Sequence, residues 1–130
     1  MAGRVTRMSG LEVNSSNGQG LGYGTGAGGA VTQITSSATA VTLNKYCGQI
    51  TTVALTTAAA AEEAFVVNNS LVDANDVIIV STTYAGGGKP IVSVTNVGAG
   101  VFTVNITNVA AAALDAVAVI NFAVIKSVIA

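Results

Sequence analysis

The stretch VFTVNIT, residues 101–107, decides the fold class because its side chains alternate between apolar and polar. Three apolar side chains fall on one side of an extended chain and three polar ones on the other: Phe102, Val104 and Ile106 against Thr103, Asn105 and Thr107. A period of two residues is typical of a half-buried β-strand. The stretch therefore predicts a strand whose apolar side faces a core.

Segments of similar composition lie along the chain and bring the predicted strands to eight: 31–35, 39–44, 48–54, 64–68, 76–82, 90–96, 101–107 and 117–126. Turn sequences rich in Gly, Asn and Asp separate them. Two alanine-rich runs, 56–65 and 108–117, are too short for stable isolated helices, so we expect loops there. Eight short strands predict an all-β fold for residues 30–130, an antiparallel β-sandwich of jelly-roll-like type.

The last predicted strand is apolar on both faces. In AVAVINFAVI, residues 116–125, one side carries Val117, Val119 and Ile125 and the other carries a second apolar row. Burying one such side chain is worth about 1.5–3 kcal/mol, so a water-exposed row is costly and invites aggregation. We therefore predict an oligomer interface at Val117, Val119, Asn121 and Ile125. Asn121 either pairs with its copies around a symmetry axis or, as we favour, bonds to a nearby loop.

A glycine-rich segment precedes the predicted sandwich. GLGYGTGAGG, residues 20–29, contains the spacing Gly24-x-Gly26-x-x-Gly29 of a dinucleotide-binding loop. That loop needs a following helix and an acidic residue about 20 positions on. The β-branched sequence AVTQIT follows instead, and no acid occurs between Glu12 and Glu62. We predict an N-terminal arm and Gly-rich tether over residues 1–29, with partner-binding residues in the arm at Arg4, Arg7, Met8 and Leu11.

Composition argues against several functions. Only 8% of residues are charged, against about 25% in a typical domain, which suits a surface covered by other protein. The five cations are scattered and the net charge is −1, so we expect no nucleic-acid and no membrane partner. Histidine is absent and the six carboxylates lie in turn-like contexts, so we expect no catalytic residues, no metal and no cofactor. The sequence DAND, residues 73–76, is interpreted as a turn rather than a calcium loop.

Cys47 is the one cysteine, and we expect it to be a buried small hydrophobic side chain.

The N-terminal sequence and the apolar stretches bear on where the protein is made. The first ten residues lack the apolar region of a signal peptide, and no apolar stretch reaches the roughly 20 residues of a membrane span. We therefore expect synthesis in a cytoplasm.

Two segments carry a resemblance to a known group of proteins. GAGGAVTQITSSATAVTLNKYCGQITT, residues 26–52, and GVFTVNITNVAAAALDAVAVINFAVIK, residues 100–126, resemble tailed-bacteriophage virion proteins. The resemblance implies a small structural protein made in the host cytoplasm and assembled on the virion. One implied role is a capsid decoration (cement) protein, a homotrimer on the capsid surface whose arm grips the major capsid protein. The other is a tail-fibre or spike tip domain that binds the host surface. The short chain favours decoration.

Overall fold

The computed structural model describes residues 20–130, and the predicted arm residues Arg4, Arg7, Met8 and Leu11 lie outside this range. Within it the chain forms eight strands and no helix. The strands are β1 (Gly28–Thr32), β2 (Val41–Thr42), β3 (Cys47–Thr51), β4 (Glu62–Asn68), β5 (Val77–Tyr84), β6 (Pro90–Gly98), β7 (Val101–Asn108) and β8 (Ala118–Ile125). The all-β prediction is confirmed.

The strands divide into two four-stranded sheets. Sheet A has the order β1-β3-β8-β5, and sheet B has the order β2-β4-β7-β6. In sheet A, β8 pairs antiparallel with β3 on one side and with β5 on the other. In sheet B, β7 pairs antiparallel with β4 and β6. The last predicted strand is therefore an inner strand with a neighbour on each side.

The prediction of a wholly antiparallel fold is wrong at two pairings. β1 pairs parallel with β3, and β2 pairs parallel with β4, so both sheets are mixed. Parallel neighbours need a crossover connection between them. Here the intervening strand lies in the opposite sheet: the chain passes through β2 between β1 and β3, and through β3 between β2 and β4. Residue alternation marks each strand but does not encode its direction.

A single core joins the two sheets. In β7 the side chains alternate between half-buried and fully buried, and Phe102, Val104 and Ile106 are completely shielded from solvent. The ring of Phe102 in sheet B lies 5.6 Å from the ring of Phe122 in sheet A, tilted by 59°. Contact between the inner faces of two sheets, one on each side of a shared core, makes the fold sandwich-like.

The loops expected at the alanine-rich segments occupy residues 56–61 and 109–117, because residues 62–65 already belong to β4, and a buried asparagine organises both loops. Asn108 is fully buried at the end of β7. Its side-chain amide donates to the carbonyls of Thr57 at 3.1 Å and Ala112 at 2.8 Å. Its amide oxygen accepts from the backbone N–H groups of Lys89 and Ala110, each at 3.1 Å. The Asn108 side chain thus supplies hydrogen-bond partners to backbone groups of three loops, which have no partner in a strand pairing.

Candidate interaction surface on sheet A

The outer surface of sheet A is the candidate site, because its strands contain no charged residue. β1, β3, β5 and β8 read GGAVT, CGQIT, VIIVSTTY and AVINFAVI. The burial pattern of β8 alternates, so that Ile120, Phe122 and Val124 enter the core while the residues between them face outward. We use the name sheet A outer face for the outward residues of β5 and β8 and the adjacent Val117: Val77, Ile79, Ser81, Thr83, Val117, Val119, Asn121, Ala123 and Ile125.

Large apolar side chains on this face are accessible to water. Val77 and Ile79 are each 52% exposed, and Val117 and Ile125 are each 47% exposed. The strand register sets Val77 opposite Ile125 and Ile79 opposite Ala123. The exposed apolar groups at one end of the face therefore form a continuous patch across β5 and β8. Contiguous exposed apolar surface of this kind marks sites of interaction with other molecules.

A polar row interrupts the patch at the middle of the sheet. Asn121 is exposed, and its side-chain oxygen accepts a hydrogen bond of 3.2 Å from the Gln49 side chain on β3. Ser81 lies opposite Asn121 on the other neighbouring strand. The partner of Asn121 is thus a strand residue of the same sheet and not the nearby loop that we favoured, whereas pairing of Asn121 with its copies stays a prediction. Cys47, which we expected to be buried, is half-buried and opposite Ala123.

The Gly-rich segment lies across part of the face. The hydroxyl of Tyr23 donates to the backbone carbonyl of Val124, and its ring stacks on Tyr46 at 5.8 Å with 19° between the planes. Gly28 and Gly29, placed in the tether by the sequence, are the first residues of β1. Tyr23 thus holds the C-terminal part of the predicted tether against the sheet.

A groove separates this segment from the sheet. It has a volume of about 470 Å³, within the range of about 300–1,000 Å³ typical of binding pockets. Its walls are Leu21, Gly22 and Tyr23 on one side and Ile79, Ala123, Ile125 and Lys126 on the other. Leu21 is 78% exposed, so its side chain is available at the lip of the groove. We call this feature the sheet A groove.

One residue that lines the sheet A groove, Lys126, belongs to an ion-pair cluster. The Lys126 ammonium lies 2.7 Å from a carboxylate oxygen of Asp73 and 2.6 Å from one of Asp76. It also donates to the Leu71 carbonyl at 3.2 Å. The Asp76 side chain is almost fully buried, whereas the Asp73 side chain is 76% exposed. The cluster ties the end of β8 to the loop before β5.

The ion pairs shift the pKa values of Asp76 and Lys126. The hydrogen bond from Lys126 is the main reason that the pKa of Asp76 lies below its ordinary value. The backbone N–H of Asp73, 2.8 Å from the same carboxylate, lowers this pKa further. Hydrogen bonds to Asp73 and then Asp76 raise the pKa of Lys126. The residues of DAND form a turn, closed by a 3.0 Å hydrogen bond from the Asp76 N–H to the Asp73 carbonyl, and its two carboxylates bind the partly exposed Lys126 ammonium.

The structure places the four predicted interface residues on one surface. Val117, Asn121 and Ile125 are exposed, and Val119 is half-buried on the same side of β8. The sequence DVIIV, residues 76–80, is also apolar on both faces and predicts a strand that is either central or covered on its outer side by another subunit. In the structure this strand is at the edge of sheet A and exposes Val77 and Ile79. Sequence reasoning missed Leu21 and Tyr23 altogether. No local pattern indicates that the Gly-rich segment lies against β8.

Metal ligands and membrane-spanning helices were sought among the described residues. Within residues 20–130, no three His, Cys, Asp or Glu side chains come together as a potential metal site. The same residues include no helix of the length and hydropathy that a membrane crossing requires. What the sheet A outer face can do chemically is bury uncharged surface and pair a few neutral polar groups.

Comparisons of the chain with protein-family models, with curated proteins and with solved structures found no match.

Proposed function

We propose that the protein is a phage virion structural component, a capsid decoration protein that stabilises the head through protein–protein contacts. The observation that carries the assembly role is the uncharged sheet A outer face, on which Val77, Ile79, Val117 and Ile125 are about half exposed. The assignment to a virion is supported by the resemblance of residues 26–52 and 100–126 to phage proteins. A subunit bound at many equivalent positions stabilises a shell because it binds the assembled state only.

In this proposal the sheet A outer face makes the contacts between subunits of a homotrimer. Val117, Val119, Asn121 and Ile125 lie in the interface, where burial removes the exposed apolar row from water. The arm residues Arg4, Arg7, Met8 and Leu11 contact the major capsid protein. The protein acts at the capsid surface after synthesis in the host cytoplasm, without catalysis. The division of eight strands into four and four supports a jelly-roll-like variant, in which two edge pairs are parallel.

Cryo-electron microscopy of virions assembled in cells that produce this protein tests the location. We expect trimeric density at symmetry axes of the head lattice, with eight-stranded subunits resolved. Density at the tail tip instead would contradict decoration and support the alternative function, a tail-fibre or spike tip domain that binds the host surface. Virions that lack the chain altogether would contradict both roles.

A further inference from the structure

The sheet A groove is an apolar surface that no residue between 20 and 130 fills, and its position relative to the chain points to its occupant. The described chain begins at Gly20, and the next residue, Leu21, already lines the groove. The segment that precedes Gly20 therefore starts at the lip of the groove. We propose that residues 4–13 of the same chain bind in the sheet A groove of the free subunit.

Reach and composition fit this occupant. From Leu21 back to Val13 is eight residues, which span up to about 26 Å when extended. The three strand spacings that separate the edges of sheet A amount to about 14 Å. Residues 4–13 can therefore reach any part of the groove. The segment supplies Met8, Leu11 and Val13 as apolar side chains for walls formed by Ile79, Ala123 and Ile125.

Charge favours the same segment. Lys126, which lines the groove, pairs with Asp73 and Asp76, so the three side chains carry a net charge of −1. The largely exposed Asp73 carboxylate is available for a further cation. Residues 1–19 hold Arg4 and Arg7 and a single acid, Glu12, a net charge of +1. The proposed occupant therefore brings an excess of positive charge to an ion-pair cluster that has an excess of negative charge.

Binding within one subunit has a consequence for assembly. The groove includes Ile125, which also belongs to the proposed oligomer interface, so the arm and a second copy compete for this residue. Residues 4–13 bind the groove of the free subunit whether or not the protein is a virion component. If it is one, arm residues that contact the capsid are held on the subunit surface before assembly.

Disulfide trapping in the full-length chain tests the inference. In a Cys47→Ser background, Leu11→Cys is combined with Ile79→Cys in the groove or with Ile91→Cys on sheet B. The two sites are matched, because Ile79 is 52% exposed on edge strand β5 and Ile91 is 49% exposed on edge strand β6. Oxidation by glutathione is followed on non-reducing gels and by mass spectrometry.

We expect the Ile79 pair to form an intrachain disulfide at least about tenfold faster than the Ile91 pair, since docking raises the effective concentration of the thiol. Equal rates would overturn the inference. A product linked mainly between chains would also overturn it, and would assign the groove to a second copy. Adding Arg7→Glu to the Ile79 pair should slow trapping several-fold, and an unchanged rate would contradict the contact with Asp73. None of these results depends on where the protein lies on a virion.

Discussion

At the scale of single residues, Gly88 and Gly100 allow the cost of backbone strain to be measured apart from the cost of steric overlap. Gly88 and Gly100 adopt φ angles of 78° and 75°, where an L-residue is strained by about 1–2 kcal/mol. A Cβ on Gly88 would lie 2.7 Å from Cδ2 of Leu114 and 2.9 Å from the Ala112 carbonyl oxygen, whereas a Cβ on Gly100 meets nothing within 4 Å. We expect Gly100→Ala to lower the free energy of unfolding by about 1–2 kcal/mol, and Gly88→Ala to cost about 1–3 kcal/mol more. Urea denaturation of both variants measures the difference, and equal losses would contradict the steric part.

The Lys126 cluster predicts a particular dependence of stability on pH. Because the pKa of Asp76 is lower in the folded chain than its ordinary value of 3.8, its ionised carboxylate stabilises the fold above that value. This contribution is lost as the pH falls through the folded-state pKa. We expect Lys126→Met to lower the urea midpoint near neutral pH, with the deficit shrinking below about pH 4. Lys89→Met, which removes a cation without an ion pair among the described residues, is the control. A deficit that is constant with pH would contradict the role of Asp76.

At the scale of elements, side-chain alternation, apolar β-branched runs and turn sequences together located all eight strands, with boundaries that shifted by a few residues. The predicted strand at 31–35 begins instead at Gly28, because glycines in the segment pair with Cys47 and Gly48 of β3. Pairing with another strand is a tertiary effect that local composition cannot reveal. The parallel pairs were missed for the same reason. Strand direction depends on which sheet each strand joins, and no residue in β2 or β3 encodes that choice.

The inner strand β7 supplies the clearest test of which side of a strand is buried. Ile106 on β7 is fully buried, and Ile91 on the neighbouring strand β6 is 49% exposed. Truncation of the buried isoleucine removes apolar contacts and leaves a cavity. We expect Ile106→Ala to lower the free energy of unfolding by about 2–5 kcal/mol and Ile91→Ala to change it by no more than about 0.5 kcal/mol. Equilibrium denaturation compares them, and similar losses would contradict the assigned faces of sheet B.

At the scale of the whole molecule, the candidate site was predictable where it depends on a single strand and unpredictable where it joins distant segments. The period of two in β8 was sufficient to place Val117, Val119, Asn121 and Ile125 on one side. The sheet A groove requires Leu21 and Tyr23 to meet Ile79 and Ile125, residues more than 50 positions away in the chain. Such contacts follow from sheet order and from one tyrosine hydroxyl bonded to a β8 carbonyl, neither of which has a local sequence pattern.

The sheet A outer face predicts an oligomer that depends on its apolar residues. Val117 lies on this face, does not line the sheet A groove, and is 47% exposed, so a charged side chain at this position can reach water in the free subunit. A charge at this position would have to be desolvated in the interface, which is costly without a partner. We expect the wild-type chain to sediment as a trimer at micromolar concentration and Val117→Asp to sediment as a monomer with an unchanged circular dichroism spectrum. Ile91→Asp places the same charge on a residue of similar exposure in sheet B and should stay trimeric. If Ile91→Asp dissociates the oligomer while Val117→Asp does not, subunits associate through sheet B. A monomeric wild type would contradict the trimer and the assignment of the exposed row on β8 to a contact between copies of this chain.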